Sequence, residues 1–303
     1  METKHYYHAC ANGADARNFV CCEADYYAAF NLIGVCAANT EAVVVSFSLE
    51  DTHPHILLWG TPDACAKFKC LYENLYRHYV AATRSSGGDL VFHCELYPIA
   101  DYDESYLRNV AVYTIIQPTK DGKSVMPYDY PWGTGSLYFR AKPYTPIWYF
   151  DAQGRIVEPV RLGDLTLTAK RQILHTRLWH IPENWLVCNG FILPSNYIDT
   201  ARFERIYQTH NRFRVYLSSP RQREEEMKKQ MAEYRGVALE DTEARVVCGD
   251  TCKQLFGTRD PRRLDGRQRI ALAQQLRRVH RLTFRQIATL VRLPEAEVRT
   301  YVR

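Results

Sequence analysis

The chain has 303 residues, 46% hydrophobic and 24% charged, the proportions of a globular protein with room for two or three domains. It holds no apolar run of about 18 residues, and its start, METKHYYHACANG, has no apolar signal core, so a cytoplasmic protein with no membrane partner is expected. Ten scattered cysteines then read as reduced thiols; Cys248 and Cys252 lie four apart with no second pair, a poor zinc framework. The net charge of +5 is uneven: Arg262 to Arg303 carries 11 arginines, no lysine and three acids, a local +8. Such a concentration suits a nucleic-acid surface, with a solvated helical face as the plainer reading.

In chain order, KHYYHACAN reads as a strand and EADYYAAFNLIGVCAAN as a helix with Tyr27, Phe30 and Ile33 near one stripe. EAVVVSFSLE and THPHILLWG read as neighbouring strands of a hairpin. Thr61 and Pro62 make a cap and first residue for a helix carrying Phe68, Leu71, Leu75 and Tyr79, which stops at Ser85–Gly88. DLVFHCELYPIA alternates like a strand, and DYDESYLRNVAVYTIIQP has helical spacing closed by Pro118. The order β-α-β-β-α-β-α predicts an α+β fold, an antiparallel sheet with flanking helices.

Beyond residue 140 the texture changes. Residues 141–260 read as a mixed, largely helical connecting region, including a helix over SNYIDTARFERIYQTHNRFRVYLSS and a charged helix or linker over PRQREEEMKKQMAEYRG. Residues 261–303 read as three short helices, so the expected domains are 1–140, 141–260 and 261–303. LTFRQIATLVRLPEAEVRTYV resembles a helix-turn-helix with its turn at VRLP. Arg285, Arg292, Arg299 and Arg303 are its candidate DNA contacts; a module docking on protein is the rival, kept open by Glu295 and Glu297, which weaken phosphate contact locally.

His53 and His55 are two apart in a strand-like stretch, so both point to one face. Tyr113 and Gln117 are four apart on a helix, one turn above each other. Two imidazoles and an amide oxygen can bind a divalent metal, with the phenol beside them as a nucleophile. Solvent-facing histidines and an ordinary helix surface are the bland alternatives. Tyr106, about two turns upstream of Tyr113, is the rival nucleophile.

The wording and order of HPHILLWG, YLRNVAVYTIIQP and YDYPWGTG, with HYYHACANG before them, resemble the HUH single-tyrosine transposases, in particular the REP-associated group, over about residues 5 to 140. The resemblance implies an HUH, ferredoxin-like palm. It also implies His53, His55 and Gln117 around Mg2+ or Mn2+, and Tyr113 as the residue forming a 5′-phosphotyrosine. The implied substrate is single-stranded or hairpin DNA bearing inverted repeats, cut and transferred by a monomer or homodimer. Three features depart from the pattern: Pro54 between the histidines, WGTG for the usual serine pair, and no lysine or arginine in FHCELYPIADYDES. They fit an altered DNA target or a domesticated, non-catalytic DNA-binding descendant. A zinc hydrolase is a further reading; it needs a carboxylate or third histidine, and none follows His55 at short spacing. Both histidines are expected to be partly exposed.

Overall fold

The computed structural model describes residues 2–11, 16–84, 90–99, 104–120, 126–139, 146–177, 180–218, 241–280 and 282–302. The chain divides into two compact units, 1–224 and 225–303. Among the described residues no helix is long and apolar enough to cross a membrane.

The first unit is built on an antiparallel sheet of β1 (His5–Ala11), β2 (Val43–Leu49), β3 (Pro54–Gly60) and β4 (Cys94–Ile99), in the spatial order β2-β3-β1-β4. Helices α1 (Glu23–Asn39), α2 (Pro62–Thr83) and α3 (Glu104–Lys120) connect and follow these strands in the expected order. α2 begins as its sequence predicts: the Thr61 hydroxyl accepts from the Ala64 N–H at 3.2 Å, and Pro62 follows. α3 does not stop at Pro118 but runs on to Lys120. The missing N–H of that proline falls in the last turn, so its cost is confined to a helix end.

Strand alternation gives the sheet two unlike faces. On one lie Tyr7 and Ala9 of β1, Phe47 of β2, and Ile56 and Leu58 of β3, in register across the strands. α1 packs there through Phe30, whose ring meets Phe47 edge-on at 5.1 Å, and α2 packs on α1, the Tyr72 hydroxyl donating to the Ala29 carbonyl. The other face carries His8 and Cys10, Ser46 and Ser48, His55 and Leu57, and Glu95 and Tyr97. α3 lies over it, tied by a 2.6 Å hydrogen bond between the hydroxyls of Ser46 and Thr114.

The YPWGTG stretch seals the outer edge of β2. The Leu49 N–H donates to the Trp132 carbonyl and the Thr134 N–H to that of Phe47, each at 2.9 Å. Gly135 has no alternative there: an added Cβ would sit 2.4 Å from the Pro127 carbonyl oxygen. WGTG therefore has a packing reason.

Residues 146–218 belong to this unit. They form a small sheet of β5 (Val160–Arg161), β6 (Leu186–Cys188) and β7 (Phe191–Ile192), with helices α4 (Leu167–Leu174), α5 (Thr200–Tyr207) and α6 (His210–Leu217). Buried Asn31 of α1 fastens them: its amide donates to the carbonyls of Ile173 and Gly190 and accepts from the Ile192 N–H. The single helix expected over 195–219 is two, because Gln208 takes a positive φ of 66° and Thr209 caps a new helix through the Arg212 N–H. The charged stretch at 220–236 lies outside the described residues.

The second unit holds α7 (Asp241–Phe256), α8 (Gly266–His280), α9 (Phe284–Val291) and α10 (Glu295–Tyr301). The three helices expected at the end of the chain are present. α7 completes their core, where Cys248 and Cys252 are buried with Leu272, Leu276, Ile287 and Val298. One turn apart in apolar surroundings, these two cysteines are packing residues. A capping box at Thr283 and Gln286 starts α9, and Arg292 ends it in the left-handed region at φ 56°.

Candidate active site

The polar face of the first sheet gathers the candidate chemistry. His55 lies on β3 and His8 on its neighbour β1, so backbone pairing brings their rings together. His8 Nε2 and His55 Nδ1 share a hydrogen bond at 3.2 Å, with the rings stacked at 5.4 Å and 18°. The other nitrogen of His8, Nδ1, lies 3.9 Å from the Cys10 thiol. His53 stands just before the strand, half-buried, its ring 4.6 Å from that of His55 and its Nδ1 2.7 Å from the Thr52 hydroxyl. Pro54 between them is the first residue of β3, a position where a strand tolerates proline.

α3 brings the phenol. The Tyr113 ring is edge-on to His55 at 5.1 Å and 88°, and to His8 at 6.0 Å and 82°. Asn109, Tyr113 and Gln117 follow one another at four-residue steps along one stripe of the helix. Gln117 is buried, and its amide N–H donates to the Tyr113 carbonyl at 3.1 Å. Tyr113 is half-buried whereas Tyr106 is buried. The Ser48 hydroxyl and the Asn109 side-chain oxygen are buried with no hydrogen-bond partner among the described residues. Polar atoms left this way call for water or a ligand.

Burial dominates the electrostatics. It pushes the His8 imidazole down to about 3, with His53 adding to the effect, so His8 is neutral at ordinary pH and one ring nitrogen keeps its lone pair. The Cys10 thiol is pushed up, by burial first and by the Glu95 carboxylate second. Tyr97 is also pushed up, by burial and then by the hydrogen bond its hydroxyl gives to Glu95 at 2.6 Å.

His53, His55 and Tyr113 are thus brought together, and Gln117 lies one turn beyond the tyrosine. The expectation that both strand histidines are partly exposed holds for His53 only; His55 is 3% exposed, covered by α3 and β1. Sequence reasoning missed His8 and Cys10. Period two within HYYHACA puts His8 and Cys10 on one face, but only the pairing of β1 with β3 brings that face to His55. His8, Cys10 and His55 offer ligand atoms within 4.8 Å of one another, the only such group of three among the described residues. The third histidine that a zinc reading lacked therefore comes from across the sheet.

In the second unit Arg285 and Arg292 are exposed. Arg299 is paired with Glu295 and lies over the Phe284 ring at 5.3 Å, so it serves the fold. Arg269 and Arg277 likewise donate to the Leu264 and Leu282 carbonyls. Arg303 lies outside the described residues.

No known family model, curated protein or solved structure matches the chain.

Proposed function

We propose that the chain is a DNA endonuclease and strand transferase in which Tyr113 attacks a phosphodiester of single-stranded or hairpin DNA. The observation that carries this reading is the half-buried Tyr113 ring held edge-on to His55 and His8 on the polar face of the sheet. The Tyr113 oxygen bonds to phosphorus as the bond from phosphorus to O3′ breaks. The phenol gives up its proton, and the departing oxygen takes one to become a 3′-hydroxyl. The product is a 5′-phosphotyrosine, whose bond is conserved for rejoining to another 3′ end. The free phenol has a pKa of about 10, so a base or a nearby positive charge has to assist.

His53, His55 and Gln117 are the residues that would hold the divalent ion, Mg2+ or Mn2+. Two imidazoles with rings 4.6 Å apart and a carboxamide are donor types that such an ion accepts. Such an ion neutralises charge on the phosphoryl oxygens when bound. The buried Ser48 and Asn109 oxygens add polar partners in the same layer. Exposed Arg285 and Arg292 of the second unit supply phosphate contacts that carry no sequence information.

The test is denaturing electrophoresis after incubating the full chain with Mn2+ and labelled single-stranded DNA taken from the sequence flanking its gene. A protein-DNA adduct resistant to denaturation is expected. Tight binding without any adduct would favour the non-catalytic DNA-binding reading.

A further inference from the structure

His8 is buried, belongs to none of the roles above, and touches the histidine at the centre of the site. Two proton arrangements satisfy its 3.2 Å contact with His55. In one, His8 Nε2–H donates to His55 Nδ1, and neutral His55 then carries its own proton on Nε2. In the other, His55 Nδ1–H donates to His8 Nε2, and His55 keeps a lone pair on Nε2. The second arrangement puts the His8 proton on Nδ1, the atom 3.9 Å from the Cys10 sulfur.

We infer that His8 is a positioning residue that holds His55 in the Nδ1-protonated form, with the Cys10 sulfur accepting the hydrogen bond of His8 Nδ1–H in turn. The inference rests on the reading of His55 as a metal ligand. A ligating histidine ordinarily gives its second N–H to a fixed acceptor, which sets both tautomer and ring angle. Carboxylates and carbonyls usually fill that place; here a second imidazole does, locked by β1 pairing and by stacking at 18°. The arrangement of His8 argues against the rival in which His8, Cys10 and His55 together clasp one ion. It turns a different ring nitrogen to each neighbour, Nε2 to His55 and Nδ1 to Cys10, as a relay needs, whereas an ion held by all three residues would take only one of the two.

The experiment is nitrogen-15 NMR of the histidine rings in the metal-free full chain, with the His55 signals assigned through His55→Gln. His55 protonated on Nδ1 is the expected result. His8→Gln, whose amide oxygen still accepts, keeps that form. His8→Leu releases it to the Nε2-protonated form that an unconstrained histidine side chain prefers. Mn2+ affinity by calorimetry follows the same order, His8→Leu weakening it roughly 10- to 100-fold while His8→Gln recovers most of the loss. His55 found protonated on Nε2 in the unaltered chain overturns the inference. So does a thiolate-to-cobalt absorption band with Co2+ that Cys10→Ala removes, since the three residues would then bind the ion directly. The tautomer is read without metal or DNA, so failure of the chain to cut DNA leaves this result standing on its own.

Discussion

The two faces of the first sheet are made by alternate residues of the same four strands, yet they follow opposite rules. Phe47, Ile56 and Leu58 point to α1 and α2 and exclude polar groups. One residue away, Ser48, His55 and Leu57 point to α3, and the layer between holds imidazoles, hydroxyls and a thiol. A sheet needs one apolar face to fold, and that obligation is met on the α1–α2 side. The α3 side is then open to carry groups that are costly to bury.

Substitutions should separate the two faces. The largest effect on stability is expected at Phe47→Ala, which empties a fully buried position against Phe30 and costs about 3–5 kcal/mol. Denaturant titration reads it as a lower midpoint. His53→Ala, on the other side and half-buried, should change stability by no more than about 0.5 kcal/mol while removing most Mn2+ affinity. An equal loss of stability from both substitutions would erase the distinction.

A pH effect sharpens the same contrast. His175, beside Tyr79 of α2, is pushed down to about 4 by burial. The unfolded chain takes up its proton near pH 6.5, the folded chain only near 4, so this contribution to stability is present above 6.5 and is lost as pH falls toward 4. His175→Asn, which tolerates the left-handed backbone at φ 51°, should flatten the fall of Tm across that window. An unchanged slope would mean that His175 titrates alike in both states.

The smallest effect concerns the second unit. Deleting 262–303 would strip Ala244, Cys248 and Cys252 of α7 of their core partners, so substitution is the cleaner probe. Arg285→Gln and Arg292→Asn should each lower the slope of log K for DNA against log salt by roughly 0.7–0.9. Arg299→Gln should instead lower the stability of the helical unit, since Arg299 is spent on Glu295 and Phe284. If neither exposed arginine changes the slope, the module docks on protein.

Most of the element order was legible because each element carries a local signal: β-branched residues in VVVSFSL, Thr61–Pro62 at a helix start, helical spacing around Tyr113. What was not legible depends on contacts far apart in the chain. His8 is 47 residues from His55, and only the pairing of β1 with β3 makes them neighbours. The break at Gln208 has no glycine or proline to announce it, and Pro118 announced a stop that its place in a last turn did not require. The arginine count also overstated the basic surface, because Arg269, Arg277 and Arg299 are tied to the fold of their own unit.

The central claim is that the polar face is a catalytic layer with Tyr113 as its nucleophile. The most direct test compares Tyr113→Phe with Tyr106→Phe in the adduct assay, with hairpin-DNA affinity measured on the same preparations. Tyr113→Phe removes one oxygen and keeps the ring against His55, so binding should hold while the covalent adduct disappears. Tyr106→Phe should leave the adduct intact. An adduct that survives in Tyr113→Phe and is lost in Tyr106→Phe would contradict the account and move the chemistry two turns up the helix.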